Sequence, residues 1–350
     1  MKMRQEKIPN WARLCGVLGV VAVLAVYAVV GRMFTPAARA QRALELGEKY
    51  LLSGEYEQAV IQFTNVIDIA RQAPDLTYLV QEGQTRLETA ARSGAVAAVQ
   101  QPGGDLQDAV TWLEEVDCAD LDSVTVFRDV RDLLAELQAL CEAESYDEVF
   151  TRLSDESYKD QVAELLGLEC DARLYSDDTG LMTAVYAMEQ PTENFEDGPE
   201  VNYMVYYGGH APDETWQETD GTPQPELRSG DAVWLAYRDG NNYLARGPWE
   251  NDRPNGEFET RSWQQTLNSA VTYRVILGQV TDGLWDGQVT WRFETGDTAT
   301  DYHPTFTAGQ WQIVTVDENG YSVADRTDYG DLIVRNPDAT VGIVGYAQAA

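Results

Sequence analysis

The sequence predicts an α+β protein laid out in series: an N-terminal transmembrane helix, a helical domain, then an all-β region of antiparallel hairpins. Three observations carry this. Residues 14–31 form an uncharged apolar run, residues 36 to about 168 space their apolar side chains at helical 3/4 intervals, and near residue 170 Gly, Trp, Tyr and Thr replace Leu, Ala and Glu. The expected boundaries are 1–13 for a basic head, 14–31 for the membrane helix, 36–168 for the helical domain and 171–350 for the β-rich region. A chain of 350 residues, 44% hydrophobic and 24% charged, is long and apolar enough for two cores. The same figures exclude wholesale disorder, a collagen-like fibre and a polytopic membrane protein.

Lys2, Arg4, Lys7, Arg13 and Arg32 against Glu6 give residues 1–32 a net charge of +4, which leaves −37 on the remaining 318 residues of a chain whose total is −33. Phosphate binding needs clustered cations, so nucleic acid is excluded as a partner class. The run LCGVLGVVAVLAVYAVVG, 18 residues from Leu14 to Gly31, spans about 27 Å as a helix, close to the hydrocarbon thickness of a bilayer. Trp11, Tyr27 and Phe34 stand where interfacial aromatics belong. The competing reading is a cleaved signal peptide, for which Ala38-Arg39-Ala40 offers a small-residue site. Its apolar stretch would be shorter and nearer the cut, so an uncleaved signal-anchor is favoured. Four cations precede the run and one follows it. The expected topology is therefore single-pass in the cell membrane, amino terminus cytoplasmic and C-terminal domains extracytoplasmic.

Cys15 falls in the expected span; Cys118, Cys141 and Cys170 are scattered over helical-looking sequence. A Cys118–Cys141 bridge is conceivable, but buried free thiols are the simpler reading. No C-x-x-C or C-x-x-H spacing suggests a metal or redox centre.

In residues 40–70, Leu46, Tyr50 and Leu51 form one stripe, Ser53-Gly54 interrupts it, and Tyr56, Ala59, Val60, Phe63 and Val66 resume it. This predicts two antiparallel helices joined by a tight glycine turn, with Gly47 and Ala59 allowing close approach. The string from Gly104 repeats that from Gly54 at an offset of 50, matching Leu106, Ala109, Val110, Leu113 and Val116; Tyr146, Val149, Phe150 and Leu153 echo it 40 residues later. The pattern Leu46, Gly47, Tyr50, Gly54, Tyr56, Ala59, Phe63 resembles a tetratricopeptide (TPR) repeat, here degenerate and irregularly spaced. A plain helical bundle would show the same apolar spacing.

The β-rich part holds seven of the nine tryptophans: Trp216, Trp234, Trp249, Trp263, Trp285, Trp291 and Trp311. VNYMVYY, AVWLAY, AVTYRVIL, QVTWRF and QWQIVTV read as strands, and 193–200 and 210–226 as acidic, Pro-bearing loops. GPWENDRPNGEFE from Gly247 aligns with GQVTDGLWDGQVT from Gly278 at an offset of 31, placing Asn255-Gly256 over Asp286-Gly287 as expected type I′ turns. Gly-x-Trp with a following Asn-Gly-x-Phe resembles the MORN repeat, whose family stacks Gly- and aromatic-rich hairpins into an elongated sheet. Together the two resemblances suggest a bacterial, membrane-anchored repeat protein.

No catalytic, cofactor-binding or metal-binding residue can be nominated. His210 and His303 read as exposed turn residues, and no nucleophile elbow, phosphate-binding loop, zinc helix or EF-hand pattern occurs. The expected function is non-enzymatic: a cell-surface scaffold for protein–protein interaction, with acidity favouring a basic partner. The alternative is a wall- or glycan-binding module using Trp and Tyr of the hairpins, against which Trp249 and Trp285 can instead simply fill a thin core.

Overall fold

A computed structural model describes residues 35–101, 103–167, 170–176, 179–189, 201–217, 224–238, 241–265, 271–303, 305–307, 310–312, 333–335 and 342–344. The chain divides into two compact units, Met1–Gly94 with Glu115–Ser123, and Ala95–Glu114 with Val124–Ala350. Helices up to Leu166 followed by an antiparallel sheet establish the α+β class. Among the described residues no helix is long and apolar enough to cross a membrane; the run 14–31 lies outside them.

In the first unit, α1 (Pro36–Leu52) opens with Thr35 as its cap, the hydroxyl accepting from the Ala38 amide at 3.3 Å. Gly54, at φ +76°, turns the chain into α2 (Tyr56–Arg71). The glycine at 47 has a direct packing reason: a Cβ there would stand 2.6 Å from the Phe63 ring, so the two helices close over that ring. Ala59, Val60, Phe63, Val66 and Ile67 are the buried stripe of α2. Against Val66 and Ile67 rests Gly83 of α3 (Thr77–Gln100), where a Cβ would come within 3.2 and 3.0 Å of their side chains.

The second unit holds α4 (Leu106–Glu115) up to Glu114, α5 (Asp122–Glu142) from Val124, α6 (Tyr146–Leu153) and α7 (Glu156–Leu166) with the main sheet. Three of the positions aligned at the offset of 50 share one fate: Ala109, Val110 and Leu113 of α4 are buried, as are Ala59, Val60 and Phe63 of α2, whereas Tyr56 and Val116 are only partly buried where their counterparts Leu106 and Val66 are fully so.

The sheet is an antiparallel meander. Its strands are β1 (Ala172–Ser176), β2 (Leu181–Glu189), β3 (Val201–Pro212), β4 (Glu226–Arg238), β5 (Asn241–Glu250), β6 (Arg253–Pro254), β7 (Gly256–Gln265), β8 (Val271–Thr281), β9 (Leu284–Thr295), β10 (Thr298–Tyr302), β11 (Thr305–Thr307) and β12 (Gln310–Gln312). They pair in the order β1-β2-β3-β4-β5-β7-β8-β9-β11-β12, with β6 on β5 and β10 on β9. A separate hairpin joins β13 (Ile333–Arg335) to β14 (Gly342–Val344). One face gathers the aromatic core, including Tyr206, Trp234, Trp249, Phe258, Trp285 and Trp291. On the other face Tyr203 donates to the Lys159 carbonyl at 3.0 Å and Trp263 meets Phe150 edge-on at 5.0 Å, which seats α6 and α7 against the strands. Strand β3 is therefore buried on both sides, Tyr203 and Val205 alternating with Met204 and Tyr206.

The 31-residue repeat is visible in the backbone, with its turns displaced from the expected dipeptides. The β5–β6 turn is Asn251-Asp252, at φ +51° and +67°, and the β8–β9 turn is Asp282-Gly283, at +51° and +84°. Gly256 instead opens β7, and Gly287 lies within β9 beside the register shift opposite Gly278. Both copies seat a large side chain on a glycine: a Cβ at Gly247 would be 2.7 Å from Phe258, and one at Gly278 2.6 Å from Val289. Each turn also hooks onto earlier chain, the Asp252 amide donating to the Arg228 carbonyl at 3.1 Å and the Gly283 amide to the Pro254 carbonyl at 2.8 Å.

Candidate functional site

Alternation along β7 sorts its side chains between the faces: Phe258 and Thr260 enter the core layer, while Glu257, Glu259, Arg261 and Trp263 stand on the helix side. Pairing then sets their neighbours. Arg246 of β5 lies opposite Glu259, Leu244 opposite Arg261, and Trp263 opposite Tyr273 of β8. The facing wall is the α5–α6 corner. Glu144, at φ +53°, closes α5 with the Ser145 amide donating to the Leu140 carbonyl at 2.9 Å, and the Ser145 carbonyl starts α6 by accepting from Glu148 and Val149.

Between corner and sheet lie two recesses of about 530 and 540 Å³, which share Glu144, Tyr146, Arg246 and Glu259 and so form one groove. The first is walled by Asp147 and Glu148 and floored by Arg261, Trp263 and Tyr273. The second is more apolar, with Leu181, Val233, Phe258 and Leu277 beside Asp231 and Glu257. Tyr273 and Leu277 are 37% and 44% exposed.

Glu259 is the electrostatic centre of the floor. Arg246 donates to its Oε2 from Nε at 3.0 Å and Nη2 at 2.7 Å, and Arg261 to its Oε1 from Nε at 3.1 Å. Burial alone would raise the Glu259 carboxyl; hydrogen bonding and charge from Arg246, then Arg261, override it and hold the group below its usual range. Burial pushes the Tyr146 hydroxyl up, reinforced by Glu144. The lining contains no His, Cys or Lys, so the groove offers cationic, anionic and aromatic surfaces without an evident nucleophile–base pair. Among the described residues, no group of three His, Cys, Asp or Glu converges as a metal would require.

The residues weighed from sequence fall elsewhere. Trp249 and Trp285 are buried in the core layer and present no open ring face to a sugar. His210 is not an exposed turn residue: it lies on β3, half-buried, edge-on to Tyr175 at 5.0 Å, with Nδ1 2.9 Å from the Glu226 carboxylate. The 210–226 segment gives its first three residues to β3 and its last to β4. His303 is exposed beyond β10. Cys118, Cys141 and Cys170 are buried free thiols, pushed up by desolvation to about 11, 12 and 12. Sequence reasoning passed over Trp263, Glu259 and Arg261, although the alternation Glu257-Phe258-Glu259-Thr260-Arg261 already marks a charged face that ends on a tryptophan.

Comparison of the chain with protein-family models, curated proteins and solved structures finds no match.

Proposed function

We propose that the chain is a non-enzymatic, membrane-anchored scaffold: residues 14–31 hold it in the cell membrane, its C-terminal domains stand outside the cytoplasm, and a protein partner docks on the β unit. One observation carries the docking site. The groove is open, lined by partly buried Trp263 and by exposed Tyr273 and Leu277, and built on paired strands and a helix corner rather than on a loop. The degenerate TPR-like helices and MORN-like hairpins fit an interaction protein, since such repeats present extended surfaces.

A photo-reactive residue at Leu277 of the full chain, irradiated in intact cells, tests this. A discrete protein adduct at Leu277, and none at Leu52 on the α1–α2 turn, is the expected result; no protein adduct at Leu277 sinks the scaffold reading. A reporter fused after Ala350 that works only in the cytoplasm sinks the topology.

The glycan reading keeps one support. Trp263 and Tyr273, ring centroids 6.1 Å apart at 33°, form an aromatic pair open to the groove. Co-sedimentation of the full chain with purified cell-wall sacculi, abolished by Trp263→Ala, would favour it.

A further inference from the structure

The charges of the groove are unequal. Glu144, Asp147 and Glu148 on the wall and Asp231, Glu257 and Glu259 on the floor face two cations, Arg246 and Arg261. Both cations already meet on Glu259. None of the other five carboxylates forms an ion pair among the described residues. They line a recess that also offers aromatic and aliphatic surface. A group that satisfies both needs a methylene stem for Leu277 and Tyr273 and a cationic head for the carboxylates, the description of a lysine or arginine side chain. Arg246 shows the mode in cis: its guanidinium grips Glu259 and is held further in its charged form by Tyr146 and Glu144.

Resting on the scaffold reading above, we infer that the occupant of the groove is a basic peptide segment of the partner, with lysine or arginine side chains set between apolar ones. Its cations pair with the acidic corner and its apolar residues cover Trp263, Tyr273 and Leu277. The −37 carried beyond residue 32 steers such a segment in and repels an acidic one. Within this arrangement Arg246 is a competitor. It occupies one carboxylate the ligand would otherwise reach and repels the incoming charge.

The test is fluorescence anisotropy with the full chain in neutral detergent micelles. The probe is a fluorescein-labelled decapeptide alternating lysine and leucine, and its glutamate–leucine counterpart is the control. The lysine peptide is expected to bind and to weaken about tenfold between roughly 50 and 300 mM NaCl. Glu144→Gln with Glu148→Gln should weaken it about tenfold, and Trp263→Ala by a similar factor. Arg246→Ala should tighten it about threefold by removing a like charge. Glu57→Gln with Glu82→Gln, on the first unit, should leave it unchanged.

Equal loss in that first-unit pair means diffuse attraction to an acidic protein and overturns the inference. Preference for the glutamate peptide, or weakening by Arg246→Ala, makes the groove an anion site and overturns it too. So does absence of lysine-peptide binding, or competition by chito-oligosaccharide instead of peptide. In each of these cases the Leu277 adduct still decides separately whether a protein docks there.

Discussion

Two arginine–carboxylate clusters occupy opposite faces of one sheet. On the core face the Arg228 side chain is 15% exposed, with Nε donating to Asp252 Oδ1 at 2.6 Å and Nη2 to Oδ2 at 3.1 Å. Four rings surround its guanidinium: Trp249 at 4.4 Å, Tyr186 at 5.1 Å, Trp234 at 5.2 Å and Tyr206 at 5.8 Å. On the groove face Arg246 and Arg261 are 50% and 48% exposed and share Glu259. The components are the same and the surroundings opposite. A desolvated guanidinium that fills an aromatic box is a structural member, whereas a wet one can be exchanged for another cation at little cost. The same division separates the tryptophans: Trp234, Trp249 and Trp285 are buried, and Trp263 lines an open groove.

The sharpest way to break this comparison is to remove one ring from each face. Trp285→Ala deletes a fully buried indole and should destabilise the protein by about 3–5 kcal/mol, while Trp263→Ala should cost about 1 kcal/mol and act on binding instead. Denaturant melts of the two variants decide it. Equal losses would mean that Trp263 serves mainly to seat α6 through Phe150.

The arginines should separate next. Arg228→Ala empties the aromatic box and frees the Asn251-Asp252 turn that it grips, for an expected loss of about 3 kcal/mol; Arg246→Ala, half-exposed, should stay within about 1 kcal/mol of the parent. A red shift of tryptophan emission in the Arg228 variant alone would place the difference in the core layer.

The two hairpins give a smaller contrast. Gly278→Ala drives a Cβ to within 2.6 Å of Val289 Cγ1 and 3.3 Å of its Cα, so about 1–3 kcal/mol is expected from crowding. Gly247→Ala meets the larger Phe258 ring and the Glu257 carbonyl at 2.7 Å in a backbone already at φ +155°, and should cost more. Thermal melts that reverse this order would mean the two copies are not packed alike.

These contrasts show why parts of the molecule were legible in the sequence and others not. The buried stripes of α2 and α4 were readable because a helix burying one face leaves a 3/4 pattern, and Ala59, Val60 and Phe63 carry it. Strand β3 showed no clean alternation because helices cover one of its faces and rings the other. The repeat of 31 residues was evident, but its turns were placed four residues late. Each copy has positive-φ backbone both at its turn and at a glycine four residues beyond it, and the Asn-Gly and Asp-Gly pairs that draw attention end in those glycines, Gly256 and Gly287. Asn251-Asp252 turns the chain without any glycine, since Asn and Asp tolerate that conformation. The groove was hidden for a different reason. Glu144 and Arg246 are about a hundred positions apart, and only the docking of α6 on the sheet brings them together.

The smallest expected effect tests whether the groove cluster contributes to folding at all. Glu259 is held below its usual range by Arg246 and Arg261, so its folded-state pKa lies under its unfolded value. Such a group stabilises the fold at pH values above its unfolded pKa, and that contribution disappears as pH falls through the depressed folded value. Because both arginines are half-exposed, solvent screens the attraction and the contribution at neutral pH should be no more than about 1 kcal/mol. Glu259→Gln removes the titration. Its stability deficit relative to the parent should therefore be constant from pH 8 to about 6 and close below about pH 4, as the parent carboxylate is protonated. A deficit that persists unchanged into acid would show that Glu259 acts through the shape of its hydrogen bonds rather than its charge. The groove floor would then be as fixed as the Arg228 box, and Arg246 could not be displaced by a partner's cation.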